Sequence, residues 1–211
     1  MAGPTLARVQ RRRVSIDIAV LASGSGTNLQ TLIDAPDIRP RITCVVSDKP
    51  EATALNRAHA AGIPTSVVQW RDHSDRETFS MAVADAVETH GAKGVVLAGF
   101  MRVLSKRFID KFPNRILNIH PSLLPAFPGA HAVENALSYG VTVTGVTVHV
   151  VDEKVDHGPI VAQRTVTVNP ADTVESLHAR IQSEEHILYP EVVQAFVNGT
   201  LTVEGRKVVW R

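Results

Sequence analysis

Asn118 and His120 stand two residues apart at the end of an apolar-rich run, residues 115–119, and Pro121 follows at once. Such a run reads as a strand, in which side chains alternate between faces. Leu117 and Ile119 then enter a core, while Asn118 and His120 emerge together on the other face. Proline has no amide hydrogen to give, so ladder pairing stops at Pro121. An amide donor and a group that titrates near neutral pH are thus paired at a strand end. In open α/β sheets that end is where ligands bind. A buried His beside a turn-forming Asn is the plainer reading. An N-x-H-P end followed by a loop holding Pro125, Pro128 and Gly129 favours a site.

Three other stretches carry candidate chemistry. Residues 23–28, Ser-Gly-Ser-Gly-Thr-Asn, lie between a strand-like IDIAVLA and a helix start, LQTLID. Strand, glycine loop and helix N-terminus aim backbone N–H groups at an anion. The loop matches neither the dinucleotide nor the nucleoside triphosphate fingerprint, so a single phosphate fits it better, with Gly26, Thr27 and Asn28 nearest. Residues 99–104, with Met101, Arg102, Val103 and Leu104, leave another strand at the same end of the sheet. They read as a local apolar plug or as the wall of a flat slot. Glu185 falls on the inner stripe of the last helix, with Val174, Leu177, Ile181, Leu188, Val192 and Phe196. An inward carboxylate needs a partner. It either reaches water at the stripe's edge or faces a cation or a ligand amine. Asp156, in the glycine-containing connection 152–158, reads by itself as a solvated turn residue.

The elements that must position these groups alternate. Strands are expected at residues 16–22, 41–47, 65–68, 93–98 and 115–119, and helices at 52–61, 75–89 and 105–112. That order implies a parallel sheet with right-handed crossovers. In the second half a helix at 132–139 leads to strands at 141–151, bent at Gly145, and 159–168. Their short connection makes them antiparallel. A long helix from Asp172 and a hairpin over 202–210 complete the chain. The fold class is α/β, a Rossmann-like, mainly parallel twisted sheet with an antiparallel extension. The expected organisation is a flexible basic leader, 1–14, and one domain, 15–211, whose phosphate-binding half (15–112) and catalytic half (113–211) meet near Pro113.

Net charge is +1 over 211 residues, and the basic cluster is Arg8, Arg11, Arg12 and Arg13. That gives no electrostatic case for nucleic acid. The longest apolar runs fall short of a membrane span, and the leader lacks a secretory apolar stretch. The lone Cys44 lies in an apolar run, a core residue that fits a reducing cytoplasm. The histidines, His131 and His149 among them, show no metal-ligand spacing, and no metal is expected. His149, inside a strand, reads as a hydrogen-bonded core or supporting residue.

Asn118-Ile119-His120-Pro121-Ser122-Leu123-Leu124-Pro125 resembles the signature of the folate-dependent formyltransferases, and the likeness runs from about Ile16 to the C-terminus. The resemblance implies 10-formyltetrahydrofolate as cosubstrate and, in its purine-synthesis branch, the amine of glycinamide ribonucleotide as acceptor. It assigns catalysis to Asn118, His120 and Asp156. It places folate against Met101, Arg102, Val103, Leu104, Asn118, Asp152 and Asp156, with the backbone of 152–156 reading the pterin edge and Arg76 at the tail. Gly26, Thr27 and Asn28 match the ribose-phosphate site, and Glu185 the carboxylate near the glycinamide amine. In that chemistry Asn118 and a protonated His120 meet the developing oxyanion. His120 then protonates the departing nitrogen, and Asp156 keeps the imidazole charged and can hold a shuttling water. His157 departs from the family, which carries a small residue there; it either points to solvent or pairs with Asp156.

Within the resemblance the competing readings are a formyltetrahydrofolate hydrolase, expected to carry an N-terminal regulatory domain, and methionyl-tRNA formyltransferase, expected to carry a C-terminal RNA-binding domain. Outside it stands a non-catalytic folate or nucleotide binder. The expected partners are the two small substrates, a homodimer is carried as an expectation, and neither nucleic acid nor membrane is implied.

Overall fold

A computed structural model of the chain describes residues 15–211; the basic leader, 1–14, lies outside the described residues. Four short parallel strands come first: β1 (Ile18–Leu21), β2 (Ile42–Ser47), β3 (Thr65–Val67) and β4 (Gly94–Leu97). Between them run α1 (Thr27–Asp34), α2 (Thr53–Ala60) and α3 (Arg76–Thr89). Then follow α4 (Lys106–Lys111), β5 (Ile116–His120), α5 (Ala132–Tyr139), β6 (Val143–Val150) and β7 (Ile160–Thr167). The chain closes with α6 (Val174–Val197), β8 (Leu201–Glu204) and β9 (Lys207–Trp210).

Among the described residues the strands form one nine-stranded sheet, in the order β3-β2-β1-β4-β5-β6-β7-β9-β8. β1 pairs with both β2 and β4, so the strand order reverses between β1 and β4. Pairing is parallel from β3 to β5, then antiparallel through β5–β6 and β6–β7. The C-terminal hairpin is not an appendage, because β9 adds to β7 at Ile160.

The central strands are buried along their length, and their side chains alternate between two cores, one on each face. Ile18, Val20, Val96, Leu117 and Ile119 pack on one face against α1, α2 and α6. Ala19, Leu21, Val95, Leu97 and Ile116 pack on the other against Phe79, Val83 and Phe108. Cys44 belongs to the second core, and burial pushes its thiol up to about 11, well away from thiolate chemistry. The helix ends follow their sequence signals. Asp75 accepts from Thr78 N–H in a capping box, Thr173 does the same with Ser176, and Gly140 closes α5 with φ 82°.

The expected bend at Gly145 is absent. Gly145 pairs in register with Thr165, and the irregularity in β6 lies between Val148 and His149. Glycine stands at 145 for another reason: a Cβ there would lie 2.0 Å from the Arg164 carbonyl oxygen, so only glycine lets β7 approach.

Candidate active site

The floor of the main cleft is a row of three side chains across three strands. Leu97 on β4 pairs with Asn118 on β5, and Asn118 pairs with His149 on β6. All three line a cavity of about 270 Å³. Met101, Arg102, Val103 and Leu104 form one wall, and residues 152–156 form the other. The row shares the face of Ile116, which α3 and α4 cover only further down the strand. His120, the last residue of β5, is 5% exposed, and ladder pairing ends with it as Pro121 requires.

The loop after β6 folds back so that Asp156 reaches this row. Its Oδ2 accepts the Gly129 N–H at 2.8 Å and lies 3.4 Å from His120 Nδ1. Its Oδ1 lies 3.4 Å from the Asn118 amide nitrogen and 3.6 Å from His149 Nε2. Three polar side chains from two remote segments, Asn118, His120 and Asp156, therefore converge. Asp156 holds φ at 52°, a left-handed conformation uncommon outside glycine that aspartate adopts more readily than most residues.

His149 settles the orientation of Asn118. Its Nδ1 lies 3.1 Å from the Val150 carbonyl, so Nδ1–H donates there. Nε2 is then free to accept from the Asn118 NH2 at 3.1 Å. The same NH2 keeps its second hydrogen for the longer contact to Asp156.

His120 corrects an expectation. Its Nε2–H donates to the Phe127 carbonyl at 2.8 Å, and Nδ1 faces Asp156. Acceptors on both nitrogens favour an imidazolium. Burial opposes charge and prevails, holding His120 below its ordinary range against the upward pull of the Phe127 carbonyl and Asp156. Burial thus works against the charge that Asp156 and the Phe127 carbonyl favour. For Asp156, burial pushes the carboxyl up, but His149, the Gly129 N–H and His120 outweigh it and leave the group below its ordinary range. In a pH titration followed by NMR, the His120 ring is expected to protonate below the usual imidazole range. Asp156→Asn removes an upward pull, so it should move that midpoint lower still; an upward move contradicts the pairing.

The glycine loop lies at the carboxyl end of β1, tied to the loop after β4 by Ser23 N–H to the Gly99 carbonyl and Met101 N–H to Ser23 Oγ, each at 3.0 Å. Gly26 has φ 70°, and a Cβ on it would lie 2.7 Å from Ala54 Cα, so glycine is required twice over. Thr27 accepts from Gln182 at 3.1 Å. Asn28 turns inward and donates to Glu185 Oε2 at 2.9 Å. Glu185 is 6% exposed, so it does not reach water at the stripe's edge; its partner is an amide and not a cation. Burial raises its carboxyl above the ordinary range, against the downward pull of Asn28.

Arg76 opens α3 and is exposed, outside the residues that line the cleft. Arg102 lines the cleft while its Nε lies 2.7 Å from the buried Asp48 carboxylate and its guanidinium 5.3 Å from the Trp70 ring centre. His157 takes the solvent-facing course: it is exposed, with Nδ1 2.8 Å from Asp152 and not against Asp156. Sequence reasoning missed Gly129 and Phe127 as backbone partners of Asp156 and His120. The Pro125–Gly129 turn signal marked their loop without indicating which way its amides face.

A Rossmann-like sheet with a glycine loop at its switch point, and polar side chains gathered at the end of β5 nearby, defines an α/β protein with a small-molecule site at the carboxyl ends of its parallel strands. The chain belongs to the formyl transferase family, whose model matches residues 16–193. It is 44% identical over 191 residues to the phosphoribosylglycinamide formyltransferase of Mycobacterium tuberculosis (strain CDC 1551 / Oshkosh), covering 90% of this chain and 88% of that protein. It is equally 44% identical over 197 residues, 92% of this chain, to the human trifunctional purine biosynthetic protein adenosine-3. The chain spans about a fifth of that trifunctional relative, 20% of its length. Among solved structures, glycinamide ribonucleotide transformylase 1 from Symbiobacterium toebii superposes with a TM-score of 0.89 at 46% identity, over 93% of this chain and 94% of the other.

Proposed function

We propose that this chain transfers the formyl group of 10-formyltetrahydrofolate to the amine of glycinamide ribonucleotide, yielding formylglycinamide ribonucleotide and tetrahydrofolate, a step of purine synthesis. The observation that carries this reading is the convergence of Asn118, His120 and Asp156 on the floor of a cleft with an apolar wall, to which the glycine loop is tied through Ser23, with Asn28 of that loop bonded to Glu185.

The amine attacks the formyl carbon, and the carbonyl pair moves onto oxygen. The Asn118 NH2 surrenders its weak 3.4 Å contact to Asp156 and donates to that oxygen, keeping its bond to His149. The amine must lose a proton, and the folate nitrogen must gain one as its bond to carbon breaks. A neutral His120 accepts the first and delivers the second, acting as base and then as general acid, with no net change in its charge. Asp156, ionised and 3.4 Å away, stabilises the imidazolium between the two transfers. Holding both substrates in one cleft supplies much of the remaining acceleration. Folate lies between residues 101–104 and 152–156, with Arg76 at its tail, and the phosphate at Gly26, Thr27 and Asn28. A cytoplasmic location and a homodimer belong to this reading on the family's account, and fractionation and light scattering test them.

The direct test incubates the purified protein with both substrates and follows formylglycinamide ribonucleotide and tetrahydrofolate. Equimolar appearance supports transfer; formate release without the formylated product overturns it in favour of hydrolysis. Glu185→Gln is expected to raise KM for the ribonucleotide about 10- to 100-fold, the loss of a charged hydrogen bond. KM for the formyl donor should stay within about twofold. Equal changes in both would remove Glu185 from amine binding.

A further inference from the structure

The loop between β6 and β7 forms one wall of the cleft through Asp152, Glu153, Lys154, Val155 and Asp156. It carries Asp156, whose backbone lies in the left-handed region. Inside the site the Gly129 N–H holds Asp156. Outside the site, side chains with no part in the proposed chemistry grip the loop at two points. Lys106, the first residue of α4, lies 2.6 Å from Glu153, joining the wall that follows β4 to the opposite wall. Arg206, in the turn of the β8–β9 hairpin, donates to the His157 carbonyl at 2.7 Å, on the peptide that joins His157 to Gly158. His157 Nδ1–H in turn donates to Asp152 at 2.8 Å, and the Arg206 guanidinium stands 4.0 Å from the same carboxylate. With Nδ1 donating to Asp152, the 3.3 Å approach of Arg206 to that nitrogen is a contact and not a second hydrogen bond.

We infer that Arg206, with His157 and Lys106, is a positioning residue for the formyl donor: the C-terminal hairpin and α4 clamp the pterin-facing loop from outside the cleft. The inference rests on the folate reading of that cleft. It gives His157 a role in place of the small residue the family carries there, and it gives the hairpin a role although none of its residues lines the cleft.

These ties are half-exposed, so each is modest. Arg206→Ala is expected to raise KM for 10-formyltetrahydrofolate about three- to fivefold, within what exposed ionic contacts supply. KM for glycinamide ribonucleotide should hold, and kcat at saturation should fall less than twofold or so. Arg206→Lys keeps a donor for the His157 carbonyl and should recover part of the loss. Adding Lys106→Ala to Arg206→Ala should multiply the effect, since the two grips are separate. An unchanged KM for the formyl donor in Arg206→Ala, or equal rises in both KM values, overturns the inference. Deuterium uptake gives a readout independent of activity: Arg206→Ala must speed exchange at residues 152–157, and unchanged uptake there overturns the clamp. A wild-type chain that transfers no formyl group sinks the folate reading, whereas the exchange result alone decides the clamp.

Discussion

His120→Ala is expected to lower kcat for formyl transfer by about 10²- to 10⁴-fold, the range for removing a positioned acid–base group. The loss should fall on kcat, because the imidazole acts between attack and departure while the walls of the cleft bind the donor. The fold should survive. His120 ends β5, its backbone pairing with Thr147 does not use the ring, and alanine leaves the strand intact. The Phe127 carbonyl loses its donor and Asp156 a neighbour, so the midpoint of thermal unfolding should drop by a few degrees at most, roughly the effect of 1 kcal/mol. Asn118→Ala should remove about 10²- to 10³-fold through the oxyanion. If the two residues serve one transition state, the double variant will be far less impaired than the product of the single losses. Steady-state kinetics of the three variants decides. A His120→Ala enzyme at wild-type rate ends the proposed mechanism, and full multiplicativity separates Asn118 from His120.

The parts of this molecule that local rules govern could be read from its residues. Capping residues, C-terminal glycines and apolar alternation set the helices and strands, because each depends on neighbours within a few positions. The Asn118–His120 pair was legible for the same reason: period-2 geometry and Pro121 act locally. Asp156 was not legible in that way. Its residue type and setting describe any solvated turn, and only the resemblance marked it; what sets it apart, the Gly129 N–H on its carboxylate, comes from chain remote in sequence. Glu185 shows the intermediate case. Helical periodicity put a carboxylate on the buried stripe, but its partner, Asn28, lies 157 residues away and could not be named. For His120, a nearby carboxylate can be inferred from family position, whereas the depth of burial that pulls its imidazole the other way is a property of the packed fold. The bend assigned to Gly145 failed on such a property. A glycine inside a strand signals either a kink or a close approach, and the Arg164 carbonyl at 2.0 Å from its absent Cβ is visible only once β7 is in place.

Gly158→Ala should couple folding and catalysis more tightly than any other single methyl group in the chain. A Cβ at 158 would lie 1.8 Å from the Val150 carbonyl oxygen and 3.2 Å from Asp152 N, both backbone atoms of the strand and loop that Asp156 depends on. No rotamer change relieves such a clash, so β6 or the loop must move by an ångström or more. Asp156 sits two residues earlier and makes contacts of 2.8 to 3.6 Å that define the site. Misplacement on the scale of an ångström lowers rates by about 10²-fold. Overpacking of this kind also destabilises by about 1–3 kcal/mol, which lowers the melting midpoint by several degrees. Gly24→Ala is the matched comparison: nothing lies within 4 Å of a Cβ placed there. It should leave stability within about 0.5 kcal/mol of the parent. Melting curves for the two alanine variants, with kcat for Gly158→Ala, test the argument. If Gly158→Ala keeps both its rate and its midpoint, the loop is free to shift without disturbing Asp156, and the geometry that links this carboxylate to His120 is not the geometry at work in turnover.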